Sequence, residues 1–366
     1  MDSSESTADI SQVLGRLRSE PGLPSTTSCP LQFETIRRYD RPQSTVYMLR
    51  ASTEDASKTI VAKLYKPESA GGVSANAIDR EYRVAKAVSQ KLSASNVFAV
   101  AKPIASYPDL RANISEAYSG SPVSLSIKRA SSRFSSQDFE TTEKSCEDCG
   151  RWIREFQRVS EDVPGRPYDH EATAQEIESL IDLLRNRGVV SVRLADQLHE
   201  HLRTLISLTR QPVRTTGMHS DFVPSNVLFC EGKIVVLDLA DYRRGPACRD
   251  PITFMHALDN YLRNPLTDPS RIWRLKIAFT KGLGAIARQD EVPVVSLFET
   301  RQTLGELINL EISSPRRFLR RLLLRVGKRQ LLKRLGRIVE LFDRQRCNYR
   351  ICDVDWRLLQ TESTSL

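Results

Sequence analysis

The stretch that most constrains the fold of this chain is GMHSDFVPSNVLFCEGKIVVLDLAD, at residues 217–241. Asp221 and Asn226 lie five positions apart, and Asp238 ends the apolar run IVVL. Two short strands joined by the turn CEGK would bring these three side chains together. Each residue alone could equally be a turn or strand-end residue, but the combined spacing favours a shared polar site.

The residue types at this site indicate a particular chemistry. Carboxylate and amide oxygens, here from Asp238 and Asn226, are hard ligands of the kind that Mg²⁺ takes. Asp221 would remain available to orient a hydroxyl nucleophile. Phosphoryl transfer depends mainly on positioning and charge neutralisation, which such a layout can supply.

The composition is that of a soluble globular protein. The chain has 366 residues, of which 40% are hydrophobic and 27% charged, and no apolar run approaches the roughly 20 residues that cross a bilayer. The N-terminus is acidic and rich in serine, without a secretory signal, so we expect a cytoplasmic protein. The net charge of +9 is compatible with nucleic acid, anionic lipid or phosphorylated partners.

The order of patterns predicts an α+β protein with a sheet-rich part followed by a helical part. Residues 32–40, 44–51 and 58–65 alternate like three consecutive strands, and a helix follows from the predicted cap Ser74. The runs at 96–110 and 112–118 predict two more strands. We expect a mobile tail at 1–28, with room for a short helix. A nucleotide-binding N-lobe at 29–118, a helical C-lobe with the catalytic loop and acceptor site at 119–357, and a tail at 358–366 should follow.

A lysine on the third strand is a candidate phosphate ligand. Lys63 lies in TIVAKLY and shares a face with Val61, while Glu81 lies on the following helix. A Lys–Glu ion pair could hold the ammonium group in place. The alternatives are a surface lysine without such a role, or Lys66 in its stead.

These motifs resemble those of the aminoglycoside phosphotransferase and choline kinase-like family of the protein-kinase-like superfamily. HSDFVPSNVLF resembles the family loop H-x-D-x-x-x-x-N, and VVLDLADYRRGPACRDP resembles its metal-binding strand and the segment that follows it. CGRWIREFQ resembles a helix of the family, with Gln157 in place of a histidine. The resemblance covers about residues 30–260 and implies a two-lobed kinase-like fold.

The resemblance also implies roles for individual residues of the catalytic loop and metal site. Asp221 would be the catalytic base, and Asn226 and Asp238 would bind Mg²⁺. His219 would be a scaffold of the loop and Asp250 a structural anchor. Two alternatives stay open for Asp241, the second aspartate of DLAD. It would be either a third acidic group near the metals or a solvent-facing turn residue.

Further implied roles concern ATP, the expected co-substrate. Lys63 would contact the phosphates and Glu81 would pair with it. Glu116 to Tyr118 would form the hinge whose backbone receives the adenine. The first hairpin, YDRPQSTVY, has no glycine. We expect a backbone cradle for phosphate there, with Ser44 as a candidate hydrogen-bond donor to the phosphate.

Departures from protein kinases favour a small-molecule or glycan kinase. DLAD stands where D-F-G is found, HSD replaces H-R-D, and no A-P-E segment follows. The predicted function is therefore ATP-dependent phosphorylation of a hydroxyl group on a small molecule or sugar. The alternatives are an atypical protein kinase and a nucleotide-binding regulatory module without turnover.

Two remaining motifs allow more than one interpretation. The basic run at 314–341 could be an amphipathic helix pair that binds an anionic membrane surface, a wall of the acceptor pocket, or a helix packed in the core. It lacks interleaved aromatics, which disfavours binding to nucleic acid.

Cys146 and Cys149 form a C-x-x-C without a second metal-binding pair, which favours structural cysteines over a zinc or redox site.

Overall fold

The computed structural model describes most of the chain, which divides into two compact units. The described residues are 10–21, 23–24, 30–70, 72–134, 139–165, 167–209, 215–284, 292–312 and 318–345. The first unit comprises Met1–Pro122, Asp162–Pro164 and Ser225–Tyr242, and the second comprises Val123–Glu161, Gly165–Pro224 and Arg243–Leu366. The segment Ser225–Tyr242, which we had predicted in the helical lobe, is thus grouped with the sheet-rich first unit.

The first unit is built on a five-stranded antiparallel sheet with the order β1-β2-β3-β6-β5. The predicted three-strand meander is confirmed. The strands are β1 (Gln32–Asp40), β2 (Ser44–Ser52), β3 (Ser57–Tyr65), β5 (Pro103–Tyr107) and β6 (Ala112–Glu116). Ile60, Ala62 and Leu64 on β3 are buried, so the intervening residues, Lys63 among them, lie on the opposite face.

Two helices accompany this sheet. Helix α2 (Ala75–Leu92) begins as predicted after Ser74, whose side chain accepts a hydrogen bond from the backbone N–H of Ala77. Helix α1 (Ile10–Leu17) lies within the predicted mobile tail, but it buries Val13 and Leu17 in the core of the sheet. The short helix that we allow for in this segment is present, and it packs on the sheet instead of lying in a free tail, because its apolar stripe has a core to pack against. Residues 1–9 and 25–28 lie outside the described residues.

A second, four-stranded sheet of the first unit has the order β4-β10-β9-β7. Its strands are β4 (Phe98–Val100), β7 (Ser121–Pro122), β9 (Val227–Cys230) and β10 (Lys233–Val236). The predicted turn between β9 and β10 is confirmed, with Glu231 and Gly232 at positive φ, as a two-residue hairpin of this type requires. The predicted strand at 96–110 is in fact two strands, β4 and β5, in different sheets.

The described residues of the second unit include many helices and the two-stranded sheet of β8 (Thr215–Met218) and β11 (Arg243–Pro246). Its helices are α3 (Val123–Ala130), α4 (Phe139–Val159), α5 (His170–Asn186), α6 (Val192–Leu208), α7 (Arg249–Asp259), α8 (Pro269–Leu283), α9 (Val292–Ile312) and α10 (Phe318–Gln345). A β-carbon on Gly150 of α4 would collide with the α8 backbone, and one on Gly282 of α8 with the α4 backbone. These two glycines allow the helices to pack closely.

The described part of the basic C-terminal run forms one helix, α10, where one interpretation was a pair of helices. Leu331, Leu335 and Val339 are buried in a cluster shared with α5, α6 and α9. The Arg334 side chain is 13% exposed and bonds to the carboxylates of Asp259, at 2.8 Å, and Glu299, at 2.6 Å. These contacts favour the core-packed interpretation, with the side chains of 318–323 and 341–345 outside the described set. No helix among the described residues is long and apolar enough to span a membrane.

The C-x-x-C pair also belongs to the core. Cys146 and Cys149 on α4 are free thiols and fully buried, and burial raises the pKa of both. Within the described part of the chain, no cluster of three or more histidine, cysteine or acidic side chains could hold a metal ion. Both findings favour the structural interpretation of this motif.

Candidate functional site

The first unit brings together the predicted lysine and the predicted metal-binding aspartate. Lys63 points from β3, and its Nζ lies 2.7 Å from Oδ1 of Asp238, which follows β10. The same Nζ lies 3.4 Å from Oε1 of Glu81 on α2. Three residues that are far apart in the chain therefore form one charged cluster, with the Lys–Glu pair that the sequence predicts.

A tyrosine that the sequence analysis did not consider completes this cluster. Tyr65 lies two positions after Lys63 on the same face of β3, and its hydroxyl donates to Oε2 of Glu81. The Nζ of Lys63 lies 4.9 Å from the centre of the Tyr65 ring. The alternation of β3 could have pointed to this residue, since positions 63 and 65 of a strand share a face.

Burial and charge shift the pKa values of the whole cluster. Burial alone would lower the pKa of Lys63, but the charge of Glu81, the neighbouring Tyr65 and the Asp238 carboxylate raise it above its usual value. Burial raises the pKa of Glu81, against the opposing effect of Lys63. Burial and the charge of Glu81 also raise the pKa of Tyr65. The lysine is thus held firmly as an ammonium group.

The predicted metal ligands Asn226 and Asp238 lie at one end of the β9–β10 hairpin. Val227 pairs with Val236 in the ladder, and the carbonyl of Asn226 accepts a 2.9 Å hydrogen bond from the N–H of Leu237. Asp238 itself has a φ of 64°, a left-handed conformation that is strained for a residue other than glycine. Asn226 and Asp238 thus offer an amide and a carboxylate oxygen at the ends of neighbouring strands. Such oxygens are the ligands that Mg²⁺ takes.

The remaining predicted nucleotide contacts lie in the same unit. Ser44 begins β2 and is buried. The Glu116 carboxylate lies 2.7 Å from Lys58 Nζ and 3.4 Å from Lys102 Nζ, so its side chain is already paired.

The backbone of the predicted hinge is partly engaged within the protein. The N–H groups of Glu116 and Ala117 donate to the carbonyls of Lys102 and Thr59, at 2.9 and 3.1 Å. The N–H of Tyr118 makes no hydrogen bond with the described residues. Adenine recognition through this segment would therefore rely on Tyr118 and on carbonyl groups.

The catalytic loop begins in the second unit, directly after β8. Its backbone is fixed by Asp250 of α7, whose carboxylate oxygens accept hydrogen bonds from the N–H groups of His219, at 2.7 Å, and Ser220, at 2.8 Å. His219 is fully buried, and its Nδ1 accepts from the N–H of Asp221 at 3.3 Å. These contacts match the predicted roles of Asp250 as an anchor and His219 as a scaffold.

Aromatic packing holds the loop from the other side. Phe222 is fully buried and stacks on Trp152 and Phe254, with ring centres 5.3 Å apart in each case. Because Phe222 is fixed, its neighbour Asp221 is presented at the surface of the unit, where it is exposed. Asp241 is exposed in a turn, as in the second of the two alternatives for that residue.

Gln157, which stands at the position of the family's histidine, also supports this region. Its side-chain amide donates a 2.7 Å hydrogen bond to the carbonyl of Ala247, just before α7. It therefore links helix α4 to the segment that leads into the anchor Asp250. This contact is made by a neutral amide side chain.

The comparisons with solved structures reveal a shared fold. Similar structures include a putative aminoglycoside phosphotransferase from Ralstonia eutropha JMP134, at 17% identity and a TM-score of 0.54, with 92% of this chain and 98% of that chain covered. An amicoumacin kinase bound to AMP-PNP, Ca²⁺ and its antibiotic has 14% identity and a TM-score of 0.56, over 89% and 93% of the two chains.

A third similar structure is a choline/ethanolamine kinase family protein from Mesorhizobium loti, at 15% identity and a TM-score of 0.52, with 90% and 95% of the chains covered. At these identities the similarity establishes the kinase-like fold, as predicted. No curated protein matches the sequence. The family model described as "Phosphotransferase enzyme family" matches residues 36–274, well over half of the chain. The protein therefore belongs to the aminoglycoside phosphotransferase (APH) family of phosphotransferase enzymes.

Proposed function

We propose that this protein transfers the γ-phosphoryl group of ATP to a hydroxyl group of a small molecule or sugar. The observation that carries the proposal is the cluster in which Lys63 contacts both Asp238 and Glu81. A kinase of this fold needs these groups to bind the phosphates and the metal. Membership of a phosphotransferase family agrees with that assignment.

The first unit would bind and orient the nucleotide. Lys63 would contact the phosphates as a fixed positive charge, with Glu81 and Tyr65 holding its position. Asn226 and Asp238 would hold Mg²⁺, which when bound neutralises charge on the β- and γ-phosphate oxygens. Glu116 to Tyr118 would receive the adenine, and Ser44 would lie near the phosphates.

Asp221 would orient the acceptor hydroxyl and accept its proton. The new bond forms between the acceptor oxygen and the γ-phosphorus, and the bond between that phosphorus and the bridging oxygen of ADP breaks. The loop contacts with Asp250 and Phe222 keep Asp221 in place before the acceptor arrives. Such preorganisation is what a positioned general base requires.

The test is transfer of label from γ-labelled ATP to an acceptor. A panel of antibiotics, amino alcohols, sugars and lipid-linked glycans is incubated with the wild-type protein and with Asp221→Asn. We expect a labelled small-molecule product that requires Mg²⁺ and is lost in the variant. Label found only on protein would favour the atypical protein kinase instead. Binding of Mg-ATP without any transfer would favour the regulatory module.

A further inference from the structure

Arg249, the first residue of α7, is a buried cation. It is 9% exposed, and its guanidinium makes no ion pair or hydrogen bond with any of the described residues. Its recorded side-chain contact is with the ring of Phe298, 5.7 Å from the ring centre. By contrast, Arg334, which is only slightly more exposed, bonds to two carboxylates. Since a buried charge without a partner is costly, Arg249 points to a ligand that supplies the missing charge.

Other arginines increase the positive charge around Arg249. Burial first, and then the charges of Arg243 and Arg301, lower the pKa of Arg249 to about 10. Arg301 is held by Glu176 through two hydrogen bonds of 2.8 and 2.6 Å. Arg243 makes no ion pair within the described part of the chain. Arg249 and Arg243 are therefore two mutually repelling guanidinium groups, neither of which forms an ion pair with a described residue.

The nearest acidic residues are committed elsewhere. Asp250 follows Arg249 directly, but its two oxygens accept from the N–H groups of His219 and Ser220. Glu176 accepts two hydrogen bonds from the guanidinium group of Arg301. Asp250 and Glu176 raise the pKa of Arg249 without forming an ion pair with it, and burial together with Arg243 and Arg301 outweighs them, so an external anion would supply the remaining charge.

The arginines also lie beside the catalytic loop, within the same unit. Arg243 begins β11 and pairs with Met218, three positions before Asp221. Arg249 begins α7, which is tied to the loop through Asp250. A small molecule that reaches Asp221 would therefore lie next to this positive surface.

We propose that the acceptor carries an oxyanion group, a carboxylate or a phosphate, that binds to Arg249 and Arg243 beside the loop of Asp221. The planar guanidinium fork matches either oxyanion through two parallel hydrogen bonds. This proposal rests on the proposed function and narrows its substrate class. Polycationic acceptors would be repelled by the same arginines. The oxyanion itself does not react, since the transferred phosphoryl group goes to a separate hydroxyl, whose proton passes to Asp221.

Matched acceptors test the proposal directly. Each set contains a neutral, a carboxylate and a phosphate form of one hydroxyl compound, such as glycerol, glycerate and glycerol phosphate, with choline as a cationic compound. Release of ADP is measured with Mg-ATP. We expect turnover with the anionic forms, and the carboxylate and phosphate arms show which group is bound. Arg249→Gln and Arg243→Gln should raise the KM for the acceptor at least about tenfold, while the KM for ATP stays unchanged. Preference for neutral or cationic forms, or an unchanged acceptor KM, would overturn the proposal.

A binding experiment decides the matter if no acceptor of the panel is phosphorylated. Inorganic phosphate is titrated into the full chain in saturating Mg-ADP, which occupies the nucleotide site. Wild type should bind phosphate, and Arg249→Gln should bind it at least about tenfold more weakly. Arg249→Lys should have an intermediate affinity, because it keeps the positive charge but loses the planar guanidinium group. Arg203→Gln removes an exposed arginine paired with Glu200 and should match wild type.

The outcomes of the titration separate the two proposals. If wild type does not bind phosphate, or Arg249→Gln binds it equally well, the anion site is refuted whatever the turnover. If phosphate binding depends on Arg249 but Mg-ADP does not bind at all, the anion site stands and the ATP-dependent function fails.

Discussion

The ammonium group of Lys63 lies 2.7 Å from the carboxylate of Asp238, although the two residues are 175 positions apart. Oε1 of Glu81 contacts the same ammonium at 3.4 Å. Lys63 is therefore positioned by two carboxylates, and its charge is maintained by them. The residue on which phosphate binding would depend is fixed before any nucleotide binds.

Lys63→Ala should reduce ATP-dependent turnover by roughly a hundredfold or more, the loss typical when a preorganised electrostatic group is removed. Lys66→Ala is the matched control, because Lys66 lies just beyond β3 and outside the cluster. Both variants are compared by kcat/KM for ATP. Equal losses, or a larger loss for Lys66→Ala, would mean that the wrong lysine is assigned to the phosphates.

Asp238→Asn should abolish Mg²⁺-dependent turnover while leaving the protein folded. It keeps the shape of the side chain but removes the charge that would bind the metal. Turnover is titrated with Mg²⁺, and folding is followed by circular dichroism. Turnover in the variant with the wild-type Mg²⁺ dependence would show that Asp238 is not a metal ligand.

Much of this site could be predicted because its residues follow local rules. The alternation of β3 placed Lys63 on the face opposite the buried Ile60 and Ala62, and the spacing from Asn226 to Asp238 required a tight hairpin, which the structure has. Ser74 as a helix cap is a rule of the same kind. Such features depend on neighbours in the chain.

Features that depend on distant packing could not be predicted in this way. Helix α1 looked like part of a polar tail because only its docking on the sheet, through Val13 and Leu17, reveals a core position. The lack of a partner for Arg249 depends on where Asp250 and Glu176 direct their oxygens. The sequence identifies these residues but not the partners that tertiary structure gives them.

Asp221→Asn should bind Mg-ATP with near wild-type affinity but transfer phosphate at least about a hundredfold more slowly, in line with the loss of a positioned general base. Asn226→Ala should instead weaken metal-dependent nucleotide binding as well as the rate. Nucleotide titrations and single-turnover assays on both variants separate the two effects. Near-normal transfer by Asp221→Asn would refute the base assignment.

The stability of the second unit should fall as the pH rises above neutrality. His256 is fully buried, with Nε2 2.9 Å from Glu299 and Nδ1 3.2 Å from Glu306. Carboxylates only accept hydrogen bonds, so both ring nitrogens must carry protons. Although burial and the charge of Arg334 oppose it, the two glutamates raise the pKa of His256 above its usual value.

The sign follows from the raised pKa. The unfolded histidine titrates at about 6.5, so the charged form stabilises the folded state fully below that pH, and this stabilisation is lost as the pH rises through the higher folded pKa. The groups around His256 are Glu299, Glu306, Arg334, Arg263, Asp259 and Lys276. The midpoint of thermal unfolding should decline as the pH rises above about 6.5. The midpoint of His256→Gln should decline less steeply with pH. Parallel slopes for the two proteins would contradict this assignment.

Two arginines of the second unit that have little exposure should respond in different ways to the same substitution. Arg334→Met leaves Asp259 and Glu299 without their partner, which should destabilise the protein by about 3–5 kcal/mol, as when half of a buried ion pair is removed. Arg249→Met removes a cation that has no ion pair among the described residues and that Arg243 and Arg301 repel, so it should leave stability unchanged or raise it by about 1 kcal/mol. Urea unfolding of both variants measures the difference. If Arg249→Met costs as much as Arg334→Met, Arg249 serves the fold, and its burial no longer points to a bound anion.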